Sequence, residues 1–254
     1  MNLLTTGNPK MVKGEKYGYI TYILHLAPAD LSGYNTCPKA TDGCKAGCLN
    51  TAGRGGMFKP GMNTNYVQEA RIRKTKMFFE NRAEFMKLLV KDIELGIKQC
   101  KKKNMIPVFR LNGTSDLSWE KYEVTITDKS GRSIVFRNIF EAFPFVKFYD
   151  YTKVPGRKVY GISNYSLTFS EADGNALDVL NAIRSGMNVA TVFGIKKTEA
   201  KPKFWNGLPV IDGDESDLRF LDPKGVVVGL FVKGRAKKDN FGFVKYPTFM
   251  MKAA

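Results

Sequence analysis

The chain is 254 residues long and carries 40 Lys and Arg against 24 Asp and Glu, a net charge of +16. That length buries a core without disulfide staples, as one large domain or two small ones. The charge attracts polyanions, so nucleic acid, nucleotides and acidic proteins are candidate partners, although a basic solvated surface explains it equally well. The first residues lack the apolar stretch of a signal peptide, and no run of about 18 apolar residues suggests a membrane span. The expected setting is a reducing cytoplasm with no membrane partner.

Residues 17–27 (YGYITYILHLA) are rich in β-branched and aromatic side chains and end at Pro28, which predicts a buried strand. A cysteine- and glycine-rich loop follows, running through Gly53, Gly55, Gly56 and Gly61. From about residue 65 the pattern turns helical. Asn81 and Glu84 form an N-cap and capping-box pair that opens a second helix, with Phe85, Leu89, Ile93 and Ile97 recurring every fourth residue. The lysines at 101–103 complement the negative end of that helix. MIPVFRLNGTSDL predicts a strand running into a polar turn, and YEVTITDKSGRSIVFRNI a hairpin turning at 129–131. Residues 138–143 read as one or two helical turns. Strands are expected at 146–151, 165–169 and 189–193, the last two separated by a helix opened by Asp173 and closed by Gly186. From residue 210 the tail reads as antiparallel hairpins built from VID, LRFLD, VVVGLFVKG and FGFVKY.

Short apolar strands alternating with helices predict an α/β fold, with a parallel sheet forming a partial or complete (β/α) barrel and antiparallel hairpins at the C-terminus. The expected organisation is one domain, 1–254, with a barrel-like core at 17–200, a hairpin insertion at 122–137 and a β extension at 205–254. In such folds chemistry collects at the C-terminal ends of the strands. Those ends carry Asn112, Gly113, Thr114, Ser115 and Asp116; Asp150, Tyr151, Thr152 and Lys153; Ser170 and Glu171; and Asp212, Gly213 and Asp214.

Cys37, Cys44 and Cys48 fall in a C-x6-C-x3-C cluster just after the first strand. Clustered cysteines in an intracellular chain suit zinc or an iron-sulfur centre better than disulfides, although three small residues in a turn-rich loop are the plainer explanation. A closed zinc site needs a fourth ligand, His25, Cys100 or an Asp, of which His25 is a better candidate than Cys100. Three thiolates alone suit a four-iron cluster with one iron open to cofactor or substrate. DGDESD gathers Asp212, Asp214, Glu215 and Asp217 in six residues, with Arg219 close behind. Such density calls for a cation or for Lys and Arg partners, so magnesium binding, substrate hydroxyl recognition and surface salt bridging all fit. Arg54, in the Gly-rich loop, could approach a phosphate. With a single histidine, neither a paired-histidine nicking enzyme nor a Ser-His-Asp hydrolase is well served, and no P-loop is present.

Taken together, CPKATDGCKAGCL with AGRGG, FRLNGTSDLSWE, FPFVKFYDYTK and NYSLTFS resemble an uncharacterised group of phage and prophage proteins similar to the gene product 88 family. The resemblance spans roughly residues 5–235 and places the protein in the host cytoplasm. The order of motifs is also remotely similar to the radical S-adenosylmethionine barrel. That likeness implies that Cys37, Cys44 and Cys48 hold a four-iron cluster and that residues 112–116 lie near S-adenosylmethionine, although the cysteine spacing differs from that superfamily's and its Gly-Gly-Glu motif is missing.

The leading expectation is therefore a phage-type metal-dependent enzyme acting on nucleic acid or nucleotide. Asp116, Asp150, Lys153 and Asp212 are candidates for acid/base or orienting work; Asn112, Gly113, Thr114 and Ser115 for cofactor; Arg54, Asp214, Asp217 and Arg219 for substrate. The alternatives are a non-catalytic nucleic-acid-binding protein with a structural zinc site and a magnesium-dependent nuclease using the DGDESD carboxylates.

Overall fold

The computed structural model describes residues 1–6 and 9–247. In chain order the elements are β1 (Leu4–Thr5), α1 (Pro9–Glu15), β2 (Tyr19–Leu24), α2 (Asp42–Ala46), α3 (Tyr66–Glu80), α4 (Arg82–Lys102), β3 (Ile106–Arg110), β4 (Val124–Thr127), β5 (Ser133–Phe136), α5 (Ile139–Ala142), β6 (Lys147–Thr152), β7 (Tyr165–Ser170), α6 (Ala176–Arg184), β8 (Val189–Phe193), β9 (Phe204–Trp205), β10 (Leu208–Asp212) and β11 (Val227–Phe231). Nine strands form one sheet in the order β1-β2-β3-β6-β7-β8-β11-β10-β9. The seven inner strands run parallel, and the two-residue strands β1 and β9 close its edges antiparallel. The sheet is a mostly parallel, open one, with β4 and β5 forming a separate hairpin.

Local chemistry sets the long helices. Asn65 caps α3 by accepting the Val67 and Gln68 N–H groups, and Asn81 caps α4 by accepting that of Glu84, the pairing expected from sequence. Along α4, Phe85, Leu89 and Ile93 are fully buried against the sheet, each contributing about 1.5–3 kcal/mol by leaving water. Ile20, Tyr22 and Leu24 of β2, Phe109 of β3 and Phe148 of β6 meet them on that face. Val108 and Tyr149 point the opposite way, where Leu218, Phe220 and Tyr19 cover them. The chain after β10 crosses this second face, so that Asp217 reaches Arg110 of β3 and Glu215 reaches Tyr17. The sheet thus curls without closing.

The tail departs in part from expectation. β9 and β10 do form an antiparallel pair, but β10 and β11 pair in parallel, and LRFLD supplies a 3-10 helix, Arg219–Leu221, instead of a strand. Its Leu218 and Arg219 are buried in the curl of the sheet. The apolar pattern is satisfied there by Leu218 and Phe220 packing on Val108, Tyr149 and Tyr19 of the sheet, which short-range periodicity does not reveal. The FGFVKY run contributes a single bridge, Lys245 to Phe193. Residues 248–254 of the expected β extension lie outside the described residues. Among the described residues no helix is long and apolar enough to cross a membrane.

Candidate functional site

The three clustered cysteines lie at the C-terminal ends of β2, β3 and β6. Cys37 sits in the loop after β2, where its Sγ–H donates toward the Thr114 carbonyl at 3.8 Å. Cys44 lies within α2, whose N-terminus is capped by Thr41. Cys48 opens a 3-10 turn, and its sulfur accepts the Asn50 N–H at 3.4 Å. A second layer pins the loop down: Thr36 donates to the Ala27 carbonyl at 2.6 Å, Arg71 of α3 donates to Asn50, and Asp173 accepts from the Thr41 hydroxyl and the Gly43 N–H.

The thiols share one cation. Burial alone would lower the pKa of Lys153, at the end of β6, but neighbouring Cys44, and then Asp116 and Cys37, raise it above the ordinary lysine value. Burial also pushes the Cys48 thiol up to about 11, and neighbouring Cys44 and Cys37 add to the shift while Lys153 opposes it. Cys37 is raised mainly by burial, with Asp116 and Cys44 contributing. Each of Cys37, Cys44 and Cys48 is half-buried, and none is in a disulfide. Among the described residues no group of three or more Cys, His, Asp or Glu side chains stands in the geometry of a metal cage. The three sulfurs lie within electrostatic reach of one another and of the Lys153 ammonium without standing as such a group, and Arg71 is close to Cys48.

The remaining sequence candidates divide sharply. Asp116 belongs to this group: its carboxylate accepts the Lys153 N–H at 2.7 Å and lies 3.7 Å from Arg157, and burial raises its pKa. Asn112 to Ser115 act as a frame. The Asn112 side chain binds the Leu117 carbonyl, the Leu117 N–H, the Ser115 hydroxyl and the Trp119 indole, and Thr114 donates to the Leu26 carbonyl at 2.6 Å. Gly113 lies so close to β2 that a Cβ there would come within 2.5 Å of Ile23 Cγ2 and 2.7 Å of the Leu24 oxygen. Asp150 is buried on the helix-facing side of the sheet, accepting the Asn112 N–H at 2.7 Å and the Tyr165 hydroxyl at 3.0 Å. Burial raises its pKa to about 7. It braces the frame from below.

His25 is not drawn into the thiol group. Its Nδ1 is 3.5 Å from the Thr5 hydroxyl, and burial together with Arg71, Arg110 and Lys74 lowers its pKa to about 3. Cys100 is fully buried and lies 3.7 Å from the Tyr22 hydroxyl beneath α4. Arg54 is exposed on the Gly-rich turn.

The acidic segment is matched by basic groups. Asp212 pairs with Lys201 at 2.8 Å; Asp214 pairs with Lys233 at 2.6 Å and Lys201 at 3.5 Å; Glu215 lies 3.9 Å from Lys16. Asp217 is buried against Arg110 at 3.0 Å and accepts the Tyr149 hydroxyl, while Arg219 pairs with Asp222 at 3.3 Å. Basic residues concentrate at Arg71, Arg73, Lys74 and Lys76, at 101–103, and at Lys233, Arg235, Lys237 and Lys238, and these runs do not form one face. Lys101 and Lys102 end α4, at the N-terminal side of the sheet, whereas the 233–238 run follows β11 at the opposite end. In the run on α3, Lys74 is buried and donates to the Leu3 carbonyl.

Sequence reading missed Arg157 and Asp173 as parts of this mouth. Arg157 lies in a turn after β6 and pairs with Glu120, and Asp173 was read as a helix start. Their only sequence signal is position after a strand. In class this is an open parallel α/β protein with a thiol-lined mouth at the C-terminal ends of its strands. The Gene product 88 family matches residues 2–246, and the chain belongs to it. No curated protein and no solved structure matches the chain.

Proposed function

We propose that the protein is a metal-dependent enzyme in which Cys37, Cys44 and Cys48 hold an iron-sulfur cluster and the adjoining mouth receives nucleic acid or nucleotide. The observation that supports this reading is that three thiols from one loop lie within electrostatic reach of one another and of a single ammonium, Lys153, at the C-terminal mouth of a parallel sheet. A cluster bound there would supply an iron centre with a position open to substrate. Lys153 and Arg71 would balance the charge of three thiolates. Asp116, fixed by the Lys153 N–H, would hold the Lys153 backbone and Arg157 in position.

Binding a metal requires the raised thiols of Cys37 and Cys48 to lose their protons, so occupancy should rise with pH. A closed structural zinc site has less support, because among the described residues the one carboxylate near the thiols, Asp116, is already engaged by the Lys153 N–H and Arg157. A magnesium site in DGDESD has less support too, because Asp212, Asp214, Glu215 and Asp217 are met by Lys and Arg. S-adenosylmethionine has less support than the cluster, because the side chains of Asn112, Thr114 and Ser115 are bonded within the protein. Protein purified without oxygen should contain iron and acid-labile sulfide and lose both in Cys37→Ser, Cys44→Ser and Cys48→Ser. Stoichiometric zinc with no sulfide would overturn the reading.

A further inference from the structure

Beside the thiol mouth, at the ends of β8 and β11, lies a cleft of about 560 Å³ whose lining includes Gly194, Lys196, Lys197, Glu199, Lys237 and Tyr246. Its position is the one where parallel sheets bind small ligands, and its volume suits a single nucleotide. The segment carrying Tyr246 is held in register by two bonds, from the Lys245 N–H to the Val192 carbonyl at 2.8 Å and from the Gly194 N–H to the Lys245 carbonyl at 2.9 Å. The Tyr246 ring packs over Gly194, where an added Cβ would meet it, and the side chain is 54% exposed. Its ring is an accessible platform on a backbone held in register.

The charge at the cleft is one-sided. Among the described residues Lys196, Lys197 and Lys237 have no carboxylate partner, whereas Lys201, Lys233 and Lys245 nearby all do. The one acid in the lining, Glu199, accepts the Lys196 backbone N–H at 2.6 Å. Lys237 lies on the 3-10 turn Gly234–Lys238, whose buried Ala236 packs against Gly47 of the cysteine loop. One short turn therefore separates the cleft from the thiols.

We propose that this cleft binds a nucleoside phosphate, with the base stacked on Tyr246 and the phosphate held by Lys196, Lys197 and Lys237. An aromatic platform beside clustered ammonium groups is the arrangement that recognises a base and its phosphate together. The inference deepens the proposed function by naming its substrate class, and rests on that reading for its place in catalysis. The ligand is either a free nucleotide or one residue of a single strand.

Equilibrium titration of the full chain with adenosine 5′-monophosphate, inorganic phosphate and a 5′-phosphorylated single-stranded oligonucleotide tests it. The nucleotide should bind at least about tenfold more tightly than phosphate, and Lys196→Gln with Lys197→Gln should weaken it by about tenfold or more. Lys98→Gln with Lys101→Gln, an equal charge change on α4, should leave affinity unchanged. Tyr246→Ala should weaken nucleotide but not phosphate, and Tyr246→Phe should restore it. Equal affinity for both nucleotide probes assigns a free nucleotide, and a clearly tighter oligonucleotide assigns a strand; both support the site. No nucleotide binding, phosphate bound as tightly as nucleotide, or equal losses in the two lysine pairs would overturn it. Repeating the titration on Cys44→Ser separates the two readings, since the cleft should still bind nucleotide whether or not iron is ever found.

Discussion

Two segments crowd potential metal ligands into a few residues, and they end up in opposite states. In DGDESD, Asp212, Asp214, Glu215 and Asp217 have each acquired a basic neighbour from elsewhere in the chain: Lys201, Lys201 and Lys233, Lys16, and Arg110. In the cysteine loop three thiols have one ammonium among them, and burial holds two of the three above the usual thiol pKa. Ligand density in a sequence is therefore not yet a site. The deciding quantity is how much opposite charge the fold delivers, and that charge comes from Lys16, Arg110, Lys201 and Lys233, all outside the segment. The acidic segment is tied into the architecture, and the thiol loop is matched by fewer charges.

The sharpest way to break this comparison is Asp217→Ala, which strands the buried guanidinium of Arg110. Urea unfolding should show a loss of about 3–5 kcal/mol, much of it recovered when Arg110→Met and Asp217→Leu are combined. A loss under about 1 kcal/mol would mean that the acidic segment does not hold the curl of the sheet.

Asp150 sharpens the comparison through pH. Its folded pKa is raised to about 7 from the ordinary 3.8, so between those values the folded state holds a proton that the unfolded state has released. Its contribution is greatest below pH 3.8, declines as pH rises and is gone above about 7. Asp150→Asn should flatten that decline when unfolding midpoints are compared across the same range. An unchanged slope would contradict the burial described for this carboxylate.

Smaller effects are expected nearer the surface of each region. Gly113→Ala forces a Cβ against Ile23 and the Leu24 carbonyl, at a cost of about 1–3 kcal/mol, and should loosen the Thr114 contact that seats Cys37. Faster alkylation of Cys37 would report that loosening, and an unchanged rate would show that the frame does not seat the thiol. Asp212→Asn, at a half-exposed pair with Lys201, should change stability by no more than about 0.5 kcal/mol. A loss several times larger would give the exposed end of DGDESD a weight that this account does not.

Much of the scaffold was legible because it rests on local signals. The Asn81 cap, the every-fourth-residue stripe of α4 and the strands at 106–110, 147–152 and 189–193 are each written in adjacent residues. The gathering of the cysteine loop with Asp116 and Lys153 was also within reach, since strand ends of a parallel sheet share one edge. What the sequence hid was direction and pairing. Asp150, within β6, and Lys153, one residue past its end, are three residues apart, yet one is sent beneath the sheet and the other into the mouth. The parallel pairing of β10 with β11 and the inward tuck of Arg219 depend on crossovers that no local pattern encodes.

The central claim is that Cys37, Cys44 and Cys48 act as one ligand set. Iron and acid-labile sulfide, measured per chain in anaerobically purified wild type and in Cys44→Ser, test it most directly. The account predicts about four of each in the wild type and a loss of both in the variant. Wild-type protein that is colourless and metal-free after anaerobic reconstitution, or a variant that keeps its iron, would contradict it.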